Sequence, residues 1–365
     1  MIRLAAPLIE DDDCAAVLEA LRSGMLVQGP RVARFEELVA SVTGTSYAVA
    51  VSSGTAALHL SLMALEVGPG DRVVVPAYSW PATANVVEQC GARPIFVDVT
   101  ADTFAMDPDH LRVALANAPA RAVIPVHPFG QMADMPSIAG LAAAAGAALL
   151  EDAACAFGAE SRGLTAGSAG ALGCFSFHPR KAVTTGEGGV VTTSDQALAR
   201  QIRMLRNHGL DPTAATPDFV LAGLNYRMTE IQAALGESQV NKLDRILRFR
   251  RERALHYDEL LAPLPIAPPV RPEGSRPTYQ SYVVLLPAGI SRDSLIRALR
   301  QEGIETQIGT YHIPLTRFYR EKYGFSVGDF PVADDIFQRA VTLPLSPSIT
   351  PEDQLKVVNA IAGYL

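Results

Sequence analysis

Between about residues 46 and 205, short apolar runs alternate with segments of helical periodicity. Arg72–Val75, Arg93–Val97, Ala122–Val126 and Ala147–Leu150 read as strands, and the stretches between them as helices. This βαβ pattern predicts an α/β fold, a mainly parallel sheet sandwiched by helices. The chain has 365 residues, 48% of them hydrophobic, which is enough for a large core and two domains.

The flanks complete the organisation. Residues from about 11 to 22 and Arg31 to Val42 read as helices. Thr229 to Leu261 forms one long helical pattern, with Ile231, Leu235, Leu243, Ile246 and Leu247 on its apolar side and arginines on a solvated face. Pro263 to Pro277 carries six prolines and reads as a linker or rigid crossover. Strands are expected at Ser281–Leu286, Thr306–Ile313 and Val341–Leu345, with a helix at Arg292–Glu302. Thr350-Pro-Glu-Asp353 opens a last helix with an N-cap, a first-turn proline and two acids. The expected division is residues 1–245, an N-terminal segment plus a large α/β domain, and residues 246–365, a smaller α+β domain. The polar loop Asp211–Asp218 is placed where it could move beside a site.

Several function classes are disfavoured. Net charge is −7 with no block of like charges, so no nucleic-acid footprint is expected. Cys14, Cys90, Cys155 and Cys174 lie far apart and show no metal or disulfide spacing, and no histidine pair has ligand spacing. No signal peptide or membrane span is read, so a cytoplasmic protein is expected.

Three segments carry chemistry. Phe175-Ser-Phe-His-Pro-Arg-Lys181 places a lysine five residues after a serine and before a glycine-rich turn. Such a lysine can bond an aldehyde cofactor, while the serine holds its phosphate. Ala48–Leu60 reads as strand, Ser-Ser-Gly turn and helix, and free N–H groups at a helix start suit a phosphate. Ala147–Leu150 is a buried strand running into Glu151 and Asp152, where ligands of open α/β sheets bind. An aspartate there could keep a pyridinium nitrogen protonated.

Together and in this order, these segments resemble the DegT/DnrJ/EryC1/StrS sugar aminotransferases, which use pyridoxal 5'-phosphate (PLP) and share the aspartate aminotransferase (type I) fold. Ser23–Pro30, Pro69–Pro76, Pro125–Gln131, Asn225–Met228 and Phe330–Ala333 extend the resemblance along nearly the whole chain. It implies that Lys181 is the Schiff-base lysine and that Asp152 pairs with the ring nitrogen. Ser176, Thr55 and Ala56 would hold the phosphate, with Gly54 permitting close approach, and Trp80 would stack on the ring. Asn225 would reach the other subunit's phosphate, implying a homodimer with shared sites. Two positions depart from the family pattern. Cys155 stands where a glutamine usually bonds the cofactor's phenolic oxygen, and Thr316 stands where a histidine is often found. Arg227, Tyr311 and His312 are candidates for the substrate pocket; His178 and His208 read as packing residues.

The implied activity is amination of a keto group on a nucleotide-activated deoxysugar, with glutamate or glutamine as donor. Lysine at 181, where related dehydratases carry histidine, favours transamination. A keto-cyclitol substrate is the alternative within the family. A PLP-binding sensor without turnover is the alternative of another class.

Overall fold

In the computed structural model, which describes residues 1–211 and 213–365, the alternating segment forms a seven-stranded sheet. Pro212, within the polar loop Asp211–Asp218, lies outside the described residues. The strands are β1 (Tyr47–Val51), β2 (Arg72–Pro76), β3 (Tyr78–Ser79), β4 (Arg93–Val97), β5 (Ala122–Val123), β6 (Ala148–Asp152), β7 (Glu160–Ser161), β8 (Leu164–Thr165), β9 (Leu172–Ser176) and β10 (Gly189–Thr193). The large sheet runs β1-β10-β9-β6-β5-β2-β4. It is parallel from β9 to β4, and β10 alone runs against both its neighbours.

Alternate strand residues point to opposite faces, so each face acquires its own core. On one side Val49, Val73, Leu150 and Val191 pack with Leu60 of α3 (Gly54–Ala64), Val87 of α4 (Ala82–Gln89) and Ile202 of the helix Gln196–Arg206. On the other, Ala50, Val74, Leu149 and Val190 meet Phe35 of the helix Pro30–Thr43, Leu111 of Pro108–Asn117 and Ile138 of Met135–Ala144. Each such aliphatic side chain contributes about 1.5–3 kcal/mol when fully buried.

The long pattern Thr229–Leu261 is two helices, Glu230–Val240 and Leu243–Leu261. The break falls at Lys242, whose ammonium is drawn to Asp12 (2.6 Å) and Asp13 (2.7 Å) in the first turn of the helix Asp11–Ser23. The second helix bridges two cores. Leu243 and Leu247 pack under the large sheet, and Ala254, Tyr257 and Leu261 join a third core with Tyr282, Leu295 and Val357.

That third core lies beneath a three-stranded antiparallel sheet of Tyr282–Leu285, Ala340–Leu343 and Gln307–Ile308. The expected strand Thr306–Ile313 is divided. Its second part, Tyr311–His312, leaves this sheet and pairs with β3. The crossing favours Gly309, since a Cβ there would collide with the Tyr78 hydroxyl. The first residues also join the C-terminal unit: Ile2 N–H bonds Gly303 C=O (2.8 Å), and Leu345 N–H bonds Leu4 C=O (3.1 Å). Among the described residues, no helix is long and apolar enough to cross a membrane.

Candidate active site

The parallel strands deliver the site at their carboxyl ends, with α3 and α4 beginning beside them. Strand β6 ends in two carboxylates whose side chains face opposite ways, because strand residues alternate. Glu151 is fully buried and saturated. It accepts N–H bonds from Gly167 (3.0 Å), Ala169 (2.7 Å) and Gly170 (2.8 Å), and meets His127 Nε2 at 2.9 Å. Burial pushes its pKa up, yet the bonds from His127 and the two glycine N–H groups hold it below the usual value. Glu151 is therefore a brace for the loop before β9.

Asp152 has spare capacity. It is 5% exposed, and burial raises its pKa against the opposing bonds from Thr83 and Ala154 and the charge of Lys181. Thr83 Oγ1 donates to Oδ2 at 2.7 Å, and the Ala154 N–H reaches Oδ1 at 3.3 Å. A buried carboxylate with so few donors fits a cationic partner such as a protonated ring nitrogen.

Lys181 rests on a turn closed by its N–H to His178 C=O (2.8 Å). Its amine donates to Cys155 Sγ at 3.1 Å. No carboxylate pairs with it among the described residues. Cys155 is in turn fixed from far along the chain, where the Thr278 hydroxyl donates to its carbonyl (2.9 Å).

Gly54 and Ser176 touch across the start of α3: a Cβ on Gly54 would sit 2.8 Å from Ser176 Cβ. The N–H groups of Gly54 and Thr55 precede the helix's first internal bond, Ala57 to Ser53 C=O, and point out as anion donors. Ala56, an expected phosphate donor, differs. Its N–H is taken by the N-cap hydroxyl of Ser53 at 3.0 Å.

Trp80 is 62% exposed, edge-on to Tyr311 with ring centroids 5.5 Å apart. The pairing of Tyr311–His312 with β3 creates this contact. Of the expected substrate residues, Tyr311 lies at the surface, whereas His312 turns inward. His312 is 2% exposed, beside Phe330 and Phe337, with Nε2 3.2 Å from Asp334 Oδ1 but without hydrogen-bond geometry. Its ring is thus removed from any open pocket. Asn225 is exposed, and Arg227 is half-buried with its guanidinium on Asn207 Oδ1 (2.6 Å). Arg227 sits against the end of β1, through a bridge to Val51 beside the Ser52 N–H to Tyr226 C=O bond, whereas Asn225 bridges Asn207.

Thr83, Ser53, His127 and Thr278 escaped the sequence reading. Ser53 carried a signal, being an N-cap residue before an apolar helix. Thr83 lies one turn beyond Trp80, and nothing in its spacing announces a bond to residue 152. Among the described residues, no cluster of three or more His, Cys, Asp or Glu could hold a metal.

The match to known proteins is end to end. The model of the DegT/DnrJ/EryC1/StrS aminotransferase family covers residues 7–362. Spr1654 of Streptococcus pneumoniae in its PMP form superposes with a TM-score of 0.94 at 28% identity, covering 100% of this chain and 99% of that one. Its PLP form gives 0.93 at 29%. PseC of Helicobacter pylori, an aminotransferase of pseudoaminic acid biosynthesis, gives 0.94 at 27% identity, covering 100% and 98%. DesV of S. venezuelae gives 0.89 at 34% identity, covering 96% and 94%. With the family model matched over residues 7–362 and these structures superposing over nearly the whole chain, the chain belongs to the DegT/DnrJ/EryC1/StrS aminotransferase family of PLP-dependent sugar aminotransferases.

Proposed function

We propose that this chain converts a keto group of a nucleotide-activated deoxysugar to an amine, taking the amino group from glutamate or glutamine, as a cytoplasmic homodimer with shared active sites. The carrying observation is the Lys181 amine, which among the described residues bonds the Cys155 thiol and whose charge acts on the buried Asp152 carboxylate, together with the close approach of Gly54 to Ser176.

PLP, when bound, supplies an electron sink conjugated to the carbon that gains or loses nitrogen. The rest is the work of these residues. Lys181 Nζ would hold the cofactor and would carry a proton to and from the amino-bearing carbon. Asp152 keeps the ring nitrogen protonated. The N–H groups of Gly54 and Thr55 and the Ser176 hydroxyl hold the phosphate. Trp80, exposed beside Tyr311, would stack on the cofactor and exclude water. Tyr311 borders the room left for the substrate, and Arg227 offers a cation to the donor's carboxylate or the nucleotide's phosphates.

Two observations support the dimer. Asn225 is exposed rather than turned into its own subunit, and Met25, Leu26, Val27 and Phe219 are large apolar residues open to solvent. A second copy would cover such residues. The sugar assignment draws support from PseC, which serves pseudoaminic acid biosynthesis.

The test has two stages. Borohydride reduction with PLP should fix the cofactor's mass on Lys181, and K181A should take up none. Glutamate should then load the amino group, and the loaded enzyme should aminate keto-nucleotide sugars. Turnover of keto-cyclitols alone would redirect the reading to that substrate class. No spectral response to any donor would leave a PLP-binding sensor.

A further inference from the structure

The first turn of α4 reaches the proposed cofactor site twice. Trp80, just before the helix, presents its ring to the open side. One turn later Thr83, fully buried, directs its hydroxyl at Asp152 Oδ2, 2.7 Å away. The two are joined by Thr83 N–H to Trp80 C=O at 3.3 Å. Ser79 Oγ of β3 lies 3.3 Å behind the Thr83 oxygen, so a second hydroxyl can orient the first.

Few other groups could do this work. The remaining tie on the Asp152 carboxylate is the longer Ala154 N–H bond. The Asp152 side chain therefore takes its rotation chiefly from Thr83. We infer that Thr83 is a positioning residue of this site: its hydroxyl fixes the Asp152 carboxylate in the orientation that grips the cofactor's ring nitrogen. This rests on the role given above to Asp152.

The turn itself is anchored by the C-terminal domain. The Tyr319 hydroxyl donates to Asn85 Oδ1 (2.9 Å), and the Tyr323 hydroxyl to Glu88 Oε1 (2.6 Å). Tyr311–His312 pairs with the strand just before it. One short helix and the residues just before it thus carry the exposed aromatic, the carboxylate's tether and the attachment of the C-terminal segment.

Trp80 is the only tryptophan in the chain, so its fluorescence reports on this turn alone. PLP is titrated into the full-length apo-protein as wild type, T83V, T83S, D152N and T83V/D152N. Valine keeps the volume and removes the hydroxyl; serine keeps the hydroxyl. T83V should weaken PLP binding about tenfold or more, the effect of losing a hydrogen bond to a charged group. T83S should bind within about threefold of wild type, and in the D152N background T83V should add less than about twofold. Wild-type affinity in T83V overturns the proposal. So does an equal loss in both backgrounds, which would mark Thr83 as packing only. If T83V fails to fold, T83A against T83S is read by the same criteria. Absence of any PLP-induced change in the wild type would instead defeat the cofactor site itself.

Discussion

The Lys181 amine and the Cys155 sulfur lie 3.1 Å apart, so a thiol faces the nitrogen expected to bond the cofactor. A thiol is a weak hydrogen-bond donor, whereas an amide offers two strong ones. Substituting Cys155→Gln should therefore tighten PLP retention, by about 1 kcal/mol or roughly fivefold, and shift the absorbance maximum of the bound cofactor. Dialysis against buffer and a spectral titration measure both. If loss rate and spectrum match the wild type, the thiol has no part in holding the cofactor.

Gly54 is tied to Ser176 by lack of space. A methyl group at 54 would press on Ser176 Cβ at 2.8 Å and push apart the two sides of the phosphate cradle. Overpacking of this kind costs about 1–3 kcal/mol. G54A should weaken binding of PLP and of inorganic phosphate together, while binding of pyridoxal without phosphate changes little. Calorimetry with the three ligands makes the comparison. Equal losses for all three would contradict a phosphate-specific cradle.

Glu151 should govern stability instead. Its carboxylate satisfies three backbone N–H groups and faces His127 with no access to water. E151A leaves these groups without an acceptor and should cost about 3–5 kcal/mol. Its pKa is held below the ordinary value, so the stability it contributes is complete above the unfolded-state value of 4.5 and is lost as pH falls through the folded value. The gap between wild type and E151Q in denaturant melts should accordingly shrink in acid. A gap unchanged from neutral pH to below 4 would show that charge is not involved.

How much of this was legible in the sequence follows from how local each feature is. Strands β1, β2, β4, β5 and β6, the turn around Ser53–Gly54 and the Lys181 segment each fit within about a dozen residues, and local pattern found them. The reversed strand β10 did not show, because an apolar run reads alike in either direction. Thr306–Ile313 looked like one strand, since its pairing partners, Ala340–Leu343 and Tyr78–Ser79, lie in different sheets far apart in sequence. His312 looked like a pocket residue for the same reason, as only the fold decides which side of Tyr311–His312 faces out. The long helix appeared continuous because the partners of Lys242 at its break, Asp12 and Asp13, lie about 230 residues away in sequence. At closer range, the Ala56 N–H expected to face a phosphate bonds the Ser53 hydroxyl, a side-chain contact that residue spacing alone does not reveal.

Asp152 should show opposite effects on folding and on function. Burial raises its folded pKa above the ordinary 3.8, so the folded chain retains a proton that the unfolded chain has released. Raising the pH through that interval favours the unfolded state; the penalty is absent below the unfolded value and complete above the folded one. D152N removes the titrating group. The apo-form of D152N should melt at a higher temperature than wild-type apo-protein at pH 7–8, and its melting point should vary less between pH 4 and 8. PLP binding should meanwhile fall about 10- to 100-fold, since a charge-assisted bond to the ring nitrogen is lost. Stability given up to hold an active-site charge is a familiar exchange in enzymes. Thermal melts of the apo-proteins across this pH range, beside a Trp80 fluorescence titration, separate the two effects. An apo D152N that is less stable at neutral pH would show that the carboxylate is needed for packing, and its burial would then say nothing about a cationic ligand.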